Sequence, residues 1–356
     1  MEILGWEMHA VGQPLRPSRR TLAGPGPGQA LVQVAGCGVC HTDLGFLEGS
    51  APVRHALPLV LGHEIAGRVV AEGEGVRGLL GRDVVVPAVI PCGNCDACAR
   101  CRGDICRKQV FPGNDDHGGF ATHVAVPAAG LCPVPRGLSR EELARLSVVA
   151  DAVSTAYAAV KKSGLRAGDL ALVVGAGGVG GFTVQIAAAL GARVIAIDVD
   201  PARLARLEPF GAHFTLDARQ HPGKALRDAV RGLVKEHRLP QAEWRIFETS
   251  GTGAGQEAAF GLLTFGATLG VVGFHAGDVK LRLSNLMAFA ARAEGTWGCA
   301  PALFPEVLDL VLSRRVAIEP FVEMHPLSEI NTVFARLRDH QLSKRPVLLP
   351  GPGDMP

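Results

Sequence analysis

Two thiols, an imidazole and a carboxylate lie within seven positions of the segment GCGVCHTDLGFLEG, residues 36–49. Cys37, Cys40, His41 and Asp43 supply the sulfur, nitrogen and oxygen donors that metal ions bind in proteins. The same spacing fits a redox pair of cysteines, or a loop whose thiols have no chemical role. Taken alone, the segment leaves all three alternatives open.

A second group of cysteines lies in PCGNCDACARCRGDIC, residues 91–106. Cys92, Cys95, Cys98 and Cys106 have the spacing CxxCxxCx7C, which lets four thiolates surround a zinc ion as a tetrahedron. Four protein ligands leave no open coordination position, so the spacing predicts a structural ion. Thiols this dense would oxidise unless a metal ligated them, and we expect the fifth one, Cys101, to stay free.

The segment LALVVGAGGVGGF, residues 170–182, predicts a dinucleotide-binding turn. Gly175, Gly177 and Gly180 have the spacing GxGxxG, with Gly178 and Val179 between them, and the turn joins an apolar strand to an apolar helix. In this pattern the first glycine makes the tight turn and the second lets the backbone approach a pyrophosphate. The third permits close packing of the helix on the strand.

The strand RVIAIDVD indicates which dinucleotide is bound. It carries Asp198, 23 residues after Gly175, where a carboxylate accepts hydrogen bonds from the adenosine ribose hydroxyls. The same charge repels a ribose phosphate, so NAD is predicted in preference to NADP. Arg203 follows five residues later and either packs on the adenine or is solvated.

Two different patterns of strands and helices surround these turns. Residues 1–150 contain short Val-rich runs separated by Gly and Pro, which predicts a β-rich module. Helical spacing then begins at Ser139, a candidate N-cap that forms a capping box with Glu142, and strands alternate with helices beyond it. That alternation predicts a doubly wound parallel sheet and the α/β fold class. Two further helices are expected at 305–313 and 327–340.

The composition limits which partners and which cellular compartment are expected. A chain of 356 residues favours two domains, and a net charge of +2 gives no reason to expect nucleic acid or membrane partners. The residues 170–192 lack charges but contain six glycines, which makes them a poor membrane span. The density of cysteines favours metal binding in a reducing compartment, and the N-terminus lacks a signal-peptide pattern. We therefore expect a cytoplasmic protein.

CHTD at residues 40–43, GHE at 62–64, the four-cysteine lobe and the GxGxxG turn follow one another along the chain. In this order they resemble the zinc-dependent medium-chain alcohol dehydrogenases over essentially the whole chain. The resemblance implies a GroES-like catalytic domain at 1–152 and a Rossmann NAD-binding domain at 153–296. It also implies that the C-terminal segment, 297–356, returns to the catalytic domain.

The resemblance further implies two zinc ions per chain, the second a catalytic ion bound by Cys40 and His63. Many relatives supply the third ligand as a cysteine six residues before a tyrosine, whereas here Asp151 stands six residues before Tyr157. A carboxylate is a competent zinc ligand, so Asp151 is the predicted third one. The alternatives are that Asp151 is a solvated helix residue, and that Glu64, expected behind the metal, ligates it.

Other residues take roles from the same resemblance. Thr42 would hydrogen-bond the substrate hydroxyl, His41 would lie near the cofactor pyrophosphate, and Asp43 would orient the ring of the ligand histidine. Several relatives have a histidine that relays the alcohol proton where this chain has Gly45, so the relay must end elsewhere. Arg345 resembles the C-terminal arginine that clamps the pyrophosphate.

The implied reaction is hydride transfer from an alcohol to C4 of the nicotinamide, with zinc lowering the pKa of the alcohol. The segments GNDDHGGFATHVAVP, WRIFETSGT and LSNLMAF resemble a narrower group, which oxidises 6-hydroxycyclohex-1-ene-1-carbonyl-CoA in anaerobic aromatic degradation. A cyclic hydroxyacyl-CoA is therefore the predicted substrate. The alternatives are a generic secondary alcohol or polyol dehydrogenase, a reductase of enones or enoyl-CoA, and a catalytically silent nucleotide-binding protein. The resemblance also suggests a homodimer or homotetramer.

Overall fold

The computed structural model describes residues 1–351, so the last five residues of the predicted segment 297–356 lie outside the described part. The first of its two compact units contains Met1–Ser154, Gly298–Leu308 and the described residues from Ile318 onward. The second contains Thr155–Trp297 and Asp309–Ala317. The sequence had placed this last stretch with the rest of the tail in the catalytic domain.

The elements alternate along the chain as follows. The strands are β1 (Glu2–Met8), β2 (Arg16–Thr21), β3 (Gln29–Gly38), β4 (Leu59–Val60), β5 (Glu64–Glu72), β6 (Asp83–Val86), β7 (His123–Pro127), β8 (Cys132–Pro133), β9 (Leu170–Val174), β10 (Arg193–Asp198), β11 (Phe214–Asp217), β12 (Arg245–Glu248), β13 (Thr268–Val271), β14 (Arg292–Gly295), β15 (Val322–Pro326) and β16 (Arg345–Leu349). The α-helices are α1 (His41–Glu48), α2 (Asp96–Ala99), α3 (Arg140–Arg145), α4 (Ala152–Lys162), α5 (Gly178–Ala189), α6 (Pro201–Leu207), α7 (Lys224–Glu236), α8 (Gly253–Gly261), α9 (Ser284–Ala288), α10 (Phe304–Leu312) and α11 (Ile330–Arg338).

The first unit is rich in β-structure. Its larger sheet has the order β15-β16-β3-β5-β6-β8, with β7 also paired to β3, and a smaller sheet has the order β2-β1-β4. Apolar side chains from both sheets and from α11 form one buried core. The site-bearing segments begin at the ends of central strands, since α1 follows β3 after two residues and His63 immediately precedes β5.

The second unit contains a six-stranded sheet in the order β11-β10-β9-β12-β13-β14, and every pairing in it is parallel. All five residues of β9 are buried, as expected for a strand covered by helices on both faces. The strand order reverses between β9 and β12, so two mononucleotide-type halves meet there. The predicted α/β fold class, with a doubly wound parallel sheet, is confirmed.

The helical region that begins at Ser139 is interrupted. The predicted capping box is present, because Ser139 Oγ accepts from the backbone N of Glu142 and Glu142 Oε2 accepts from the backbone N of Ser139. Helix α3 then passes into a 3-10 turn at Leu146–Ala150, and Asp151 has φ −137° and ψ −66° before α4 begins. The break turns one residue out of the helical path, which the sequence pattern did not predict.

Two helix predictions for the C-terminal region are correct in type and shifted at the ends. The helix expected at 305–313 is α10. The helix expected at 327–340 is α11, which is shorter because Leu327–Glu329 form a 3-10 turn before it. Within residues 1–351, no single helix has the length and apolarity to cross a membrane, and only Arg140–Ala150 taken with Ala152–Lys162 meets that test, as a pair bent by 40°.

Candidate active site

Three potential metal ligands converge in the first unit. Cys40, His63 and Asp151 each place one ligand atom within 4.8 Å of the other two. Cys40 is the N-cap of α1, His63 stands just before β5, and Asp151 occupies the break before α4. The cysteine and the histidine are buried, while the Asp151 side chain is 17% exposed. The three donors therefore form a pocket that solvent reaches from the aspartate side.

Asp43 determines how the His63 ring is oriented. Its Oδ1 accepts from His63 Nδ1 at 3.0 Å and from the Gly62 backbone N at 3.2 Å, and its Oδ2 accepts from the Cys40 backbone N at 2.9 Å. Because a carboxylate only accepts, Nδ1 carries a proton, and Nε2 is the ring nitrogen available to a metal ion. Asp43 is thus hydrogen-bonded to two of the three residues of the donor group, Cys40 and His63.

The other ring nitrogen of His63 has the surroundings of a metal ligand. Nε2 is buried and has no hydrogen-bond partner within residues 1–351, and Asp151 Oδ2 lies 3.6 Å away, beyond hydrogen-bonding distance. Burial alone would lower the pKa of His63, but the Asp43 carboxylate, with Asp151, raises it well above its usual range. The pocket therefore favours a positive charge at Nε2. A zinc ion ligated by cysteine, histidine and aspartate supplies that charge.

Glu64 lies outside the three-donor group and hydrogen-bonds to Arg345 and to the backbone next to Asp151. Its carboxylate accepts from Arg345 Nε at 2.6 Å and Nη2 at 2.7 Å, and its Oε1 also accepts from the Ala152 backbone N at 2.9 Å. Burial would lower the pKa of Arg345, but Glu64 raises it. The arginine expected at the cofactor pyrophosphate is therefore bound to Glu64 in a buried ion pair, and the contact with Ala152 anchors the residue next to Asp151.

Thr42 and His41 lie on the first turn of α1. Thr42 Oγ1 is 3.6 Å from Cys40 Sγ, so its hydroxyl is beside the candidate metal pocket. His41 is exposed and stacks on His340, with the ring centroids 6.3 Å apart. No pattern in the sequence pointed to His340, because the contact joins residues that are distant in the chain. The ring of Phe111 packs 4.9 Å from that of His63 and covers it.

The four-cysteine lobe is assembled as predicted from its spacing. Cys92, Cys95, Cys98 and Cys106 place their sulfur atoms within 4.8 Å of one another. Three of the pairs are 3.5, 3.7 and 3.5 Å apart, close to the roughly 3.8 Å edge of a tetrahedron with zinc–sulfur bonds of about 2.3 Å. Cys101 is exposed and lies outside this group. The donor set fits a structural zinc ion.

In the second unit, the glycine-rich turn is shaped to receive a phosphate. Gly175 has φ +98°, and a Cβ added to Gly180 would lie 1.7 Å from the Gly175 carbonyl oxygen, so both positions require glycine. At Gly177 the nearest atom to such a Cβ is Arg203 Nη1, 3.9 Å away. The space beside Gly177 is therefore open at the N-terminus of α5, where a pyrophosphate binds.

Asp198 is buried at the end of β10 and is held beside this turn. Its Oδ2 accepts from the Ala176 backbone N at 2.5 Å and its Oδ1 from the Asp200 backbone N at 2.9 Å. Each oxygen retains a lone pair for a ribose hydroxyl. Arg203 Nε lies 3.5 Å from Asp200 Oδ2, and its guanidinium reaches the turn at Gly177. Arg203 thus lies next to the glycine-rich turn, where the cofactor is predicted to bind.

Two families of protein domains match the chain. The alcohol dehydrogenase GroES-like domain family matches residues 26–136, and the zinc-binding dehydrogenase family matches residues 178–313. An alcohol dehydrogenase of Geobacillus stearothermophilus is 31% identical over 90% of this chain and 91% of its own length. An alcohol dehydrogenase of Rhizobium meliloti is 30% identical over 95% of this chain and 96% of its own.

Solved structures show the same fold. The alcohol dehydrogenase of Aeropyrum pernix has a TM-score of 0.89 and 31% identity, covering 98% of this chain and all of its own. A zinc-binding dehydrogenase of Sinorhizobium meliloti, solved with NADP, has a TM-score of 0.85 and 25% identity, with 98% and 100% covered. Both similarities therefore extend over nearly the whole of this chain.

Proposed function

Because the chain belongs to the zinc-dependent medium-chain alcohol dehydrogenase family, we propose that it oxidises a secondary alcohol to a ketone with NAD as the hydride acceptor. The family makes it a zinc-binding oxidoreductase that uses NAD(P). The proposal rests chiefly on one observation, the group of Cys40, His63 and Asp151, in which His63 Nε2 is buried without a hydrogen-bond partner among the described residues. Three protein ligands leave a coordination position for substrate, as catalytic zinc sites require.

Each residue of this pocket has a task in the proposed reaction. Cys40, His63 and Asp151 would hold the catalytic zinc ion, which, when bound, lowers the pKa of the substrate hydroxyl. Asp43 keeps the ligand nitrogen of His63 aimed into the pocket. The Thr42 hydroxyl, 3.6 Å from Cys40 Sγ, would accept the substrate proton. As it takes that proton, the Thr42 hydroxyl would give its own to water or a cofactor ribose hydroxyl, since Gly45 has no side chain to relay it.

A cyclic hydroxyacyl-CoA is the narrower candidate, which the sequence resemblance favours. The two relatives compared above are both alcohol dehydrogenases, and this supports the generic function. Arg54, a basic residue available for a CoA phosphate, already pairs with Asp115 at 3.0 Å. We therefore place the generic secondary alcohol first and the CoA ester second.

Substrate comparison separates the two candidates. The pure enzyme with NAD should oxidise cyclohexanol and other simple secondary alcohols, with kcat/KM within about tenfold of that for 6-hydroxycyclohex-1-ene-1-carbonyl-CoA. A generic site makes no specific contact with the CoA group, and a tenfold ratio corresponds to only about 1.4 kcal/mol. NADH formation is followed by absorbance. Turnover of the CoA ester with none of the free alcohols would overturn the generic function and support the narrower one.

Cofactor preference should depend on Asp198. We expect kcat/KM for NAD to exceed that for NADP by about 10–100-fold, because a hydrogen bond to a charged group contributes a free energy equivalent to such a ratio. Asp198→Gly should remove most of the difference. Asp217→Gly is the matched control, because Asp217 ends the adjacent strand in register with Asp198. Equal use of both cofactors by the unmodified enzyme would contradict the role given to Asp198.

We propose an oligomer and a reducing location for the chain. Strand β14 is one of the two edges of the parallel sheet, and Leu283 and Met287 of the neighbouring segment are exposed, which supports self-association through this edge to a homodimer or homotetramer. None of the nine cysteines, all of which lie within residues 1–351, forms a disulfide bond, and this supports the cytoplasm as the location.

A further inference from the structure

The strand order of the second unit indicates where a dinucleotide crosses the sheet. In open α/β sheets, ligands bind outside the carboxyl ends of the strands at the point where the order reverses. Here that point lies between β9 and β12. The glycine-rich turn follows β9 and Asp198 ends β10, so the adenosine half lies on this side. The nicotinamide half must then pass over the loop that follows β12.

That loop, Thr249–Thr252, is joined directly to the glycine-rich turn. Thr249 Oγ1 donates to the Gly175 carbonyl at 2.7 Å and lies 3.1 Å from the Val174 carbonyl. Thr252 caps α8, because its Oγ1 accepts from the Gly255 backbone N at 3.0 Å. The loop therefore forms the second wall of the crevice.

A buried carboxylate anchors this loop through hydrogen bonds. Glu248, the last residue of β12, is 0% exposed, and its Oε1 accepts from Ser250 N at 2.8 Å, Ser250 Oγ at 2.6 Å and Gly251 N at 3.1 Å. Three donors from two consecutive residues converge on one oxygen. Glu248 thereby determines the path of the loop, although it does not reach the surface of the crevice itself.

The same side chain faces the next loop of the sheet. A Cβ added to Gly273 would lie 2.8 Å from Glu248 Oε2 and 2.2 Å from the Gly251 backbone N. The Glu248 backbone carbonyl also accepts from Val272 N at 2.9 Å and Gly273 N at 3.1 Å. The loops after β12 and β13 are thus packed backbone to backbone around this glutamate, on the side of the crevice opposite Asp198.

We propose that Glu248 is a positioning residue for the nicotinamide half of the dinucleotide. Its carboxylate holds Thr249–Thr252 in the conformation that forms this wall, and the adenosine half is bound without its help. The inference rests on the proposed function only through the binding of NAD(P)H by the second unit. It is independent of the substrate and of the preference for NAD.

The test compares the binding of two nucleotides, NADH and AMP, to three variants of the full-length enzyme. Dissociation constants are measured for NADH by its fluorescence and for AMP by calorimetry. For Glu248→Ala we expect NADH affinity to fall about 10–100-fold, since an acceptor of several hydrogen bonds is lost, while AMP affinity stays within about twofold. Glu248→Gln should restore NADH binding to within about threefold, because its carbonyl oxygen accepts the same donors. Glu257→Ala, an exposed glutamate on α8, is the control and should change neither constant.

Ser250→Ala keeps the test decisive if Glu248→Ala fails to fold. It keeps Glu248 and removes the bond that Ser250 Oγ donates to it, together with the contacts of that hydroxyl with Thr252 Oγ1 at 3.0 Å and Thr252 N at 3.2 Å, and should weaken NADH binding about 3–10-fold with AMP unchanged. Unchanged NADH affinity in the folded variants, or equal losses for NADH and AMP, would overturn the role of Glu248. Failure of the unmodified enzyme to bind NADH would instead reject the proposed function.

Discussion

Replacing Cys40 by serine should leave a folded protein whose alcohol turnover falls by more than about a thousandfold. Zinc lowers the pKa of a bound hydroxyl by many units, to about 7 for water, and this acidification is lost with the ion. Cys40 is buried, its sulfur belongs to the three-donor group, and a neutral serine hydroxyl is a far weaker ligand than a thiolate. The measurements are zinc per chain, steady-state rate and the circular dichroism spectrum.

Cys37 provides a matched control for that experiment. It is buried three residues earlier in the chain, and its sulfur lies outside the three-donor group. Burial raises the pKa of the Cys37 thiol, so it stays protonated and does not compete for the metal. We expect Cys37→Ser to keep both zinc ions and a rate within severalfold of normal. Near-normal turnover by Cys40→Ser would remove Cys40 from the active site.

Replacing Cys95 by serine should release one zinc ion and destabilise the protein. Residues 91–106 contain two short helical turns, α2 and Gly103–Ile105, and little core of their own, so their folding depends on the metal. Structural zinc sites in small domains contribute about 10–16 kcal/mol of apparent binding free energy, and that energy is folding energy. We expect the midpoint of thermal unfolding to fall by at least about 5 °C, given a loss of several kcal/mol.

Cys101→Ser tests whether that loss is specific to the ligands. Cys101 is exposed in the same lobe and lies outside the four-sulfur group. We expect this variant to retain two zinc ions per chain and the normal unfolding midpoint. Retention of both ions by Cys95→Ser, or loss of one by Cys101→Ser, would mean that the four ligands have been assigned wrongly.

The parts of the site that depend on local spacing were predictable from the sequence. The four thiols of the lobe lie within 15 residues, and the glycines of the phosphate turn within six, so short-range geometry determines both. The GxGxxG pattern also predicted the positions that exclude a side chain, since a Cβ at Gly180 would contact the Gly175 carbonyl. The parallel sheet followed from the alternation of apolar runs and helices.

Contacts between distant residues were not predictable in this way. Arg345 pairs with Glu64 across 281 positions, although its sequence context suggested a cofactor contact. The break at Asp151 lies within helical spacing, so the sequence pattern did not predict it, although the resemblance to other dehydrogenases had marked that residue. The role of Glu248 depends on which loops meet above β12, which is a property of strand order. No periodicity in the sequence encodes these contacts.

Zinc content and turnover of three proteins, the unmodified enzyme, Asp151→Asn and Asp151→Cys, test the central claim most directly. We predict two zinc ions per chain in the unmodified enzyme and one in Asp151→Asn, which should fold normally and lose turnover together with the metal. Asp151→Cys should recover both, because a thiolate replaces the lost anionic ligand. If Asp151→Asn lost only about 10–100-fold in turnover and retained both zinc ions, Asp151 would lie beside the ligands rather than among them. Two zinc ions and a full rate in Asp151→Asn would contradict the proposed catalytic site.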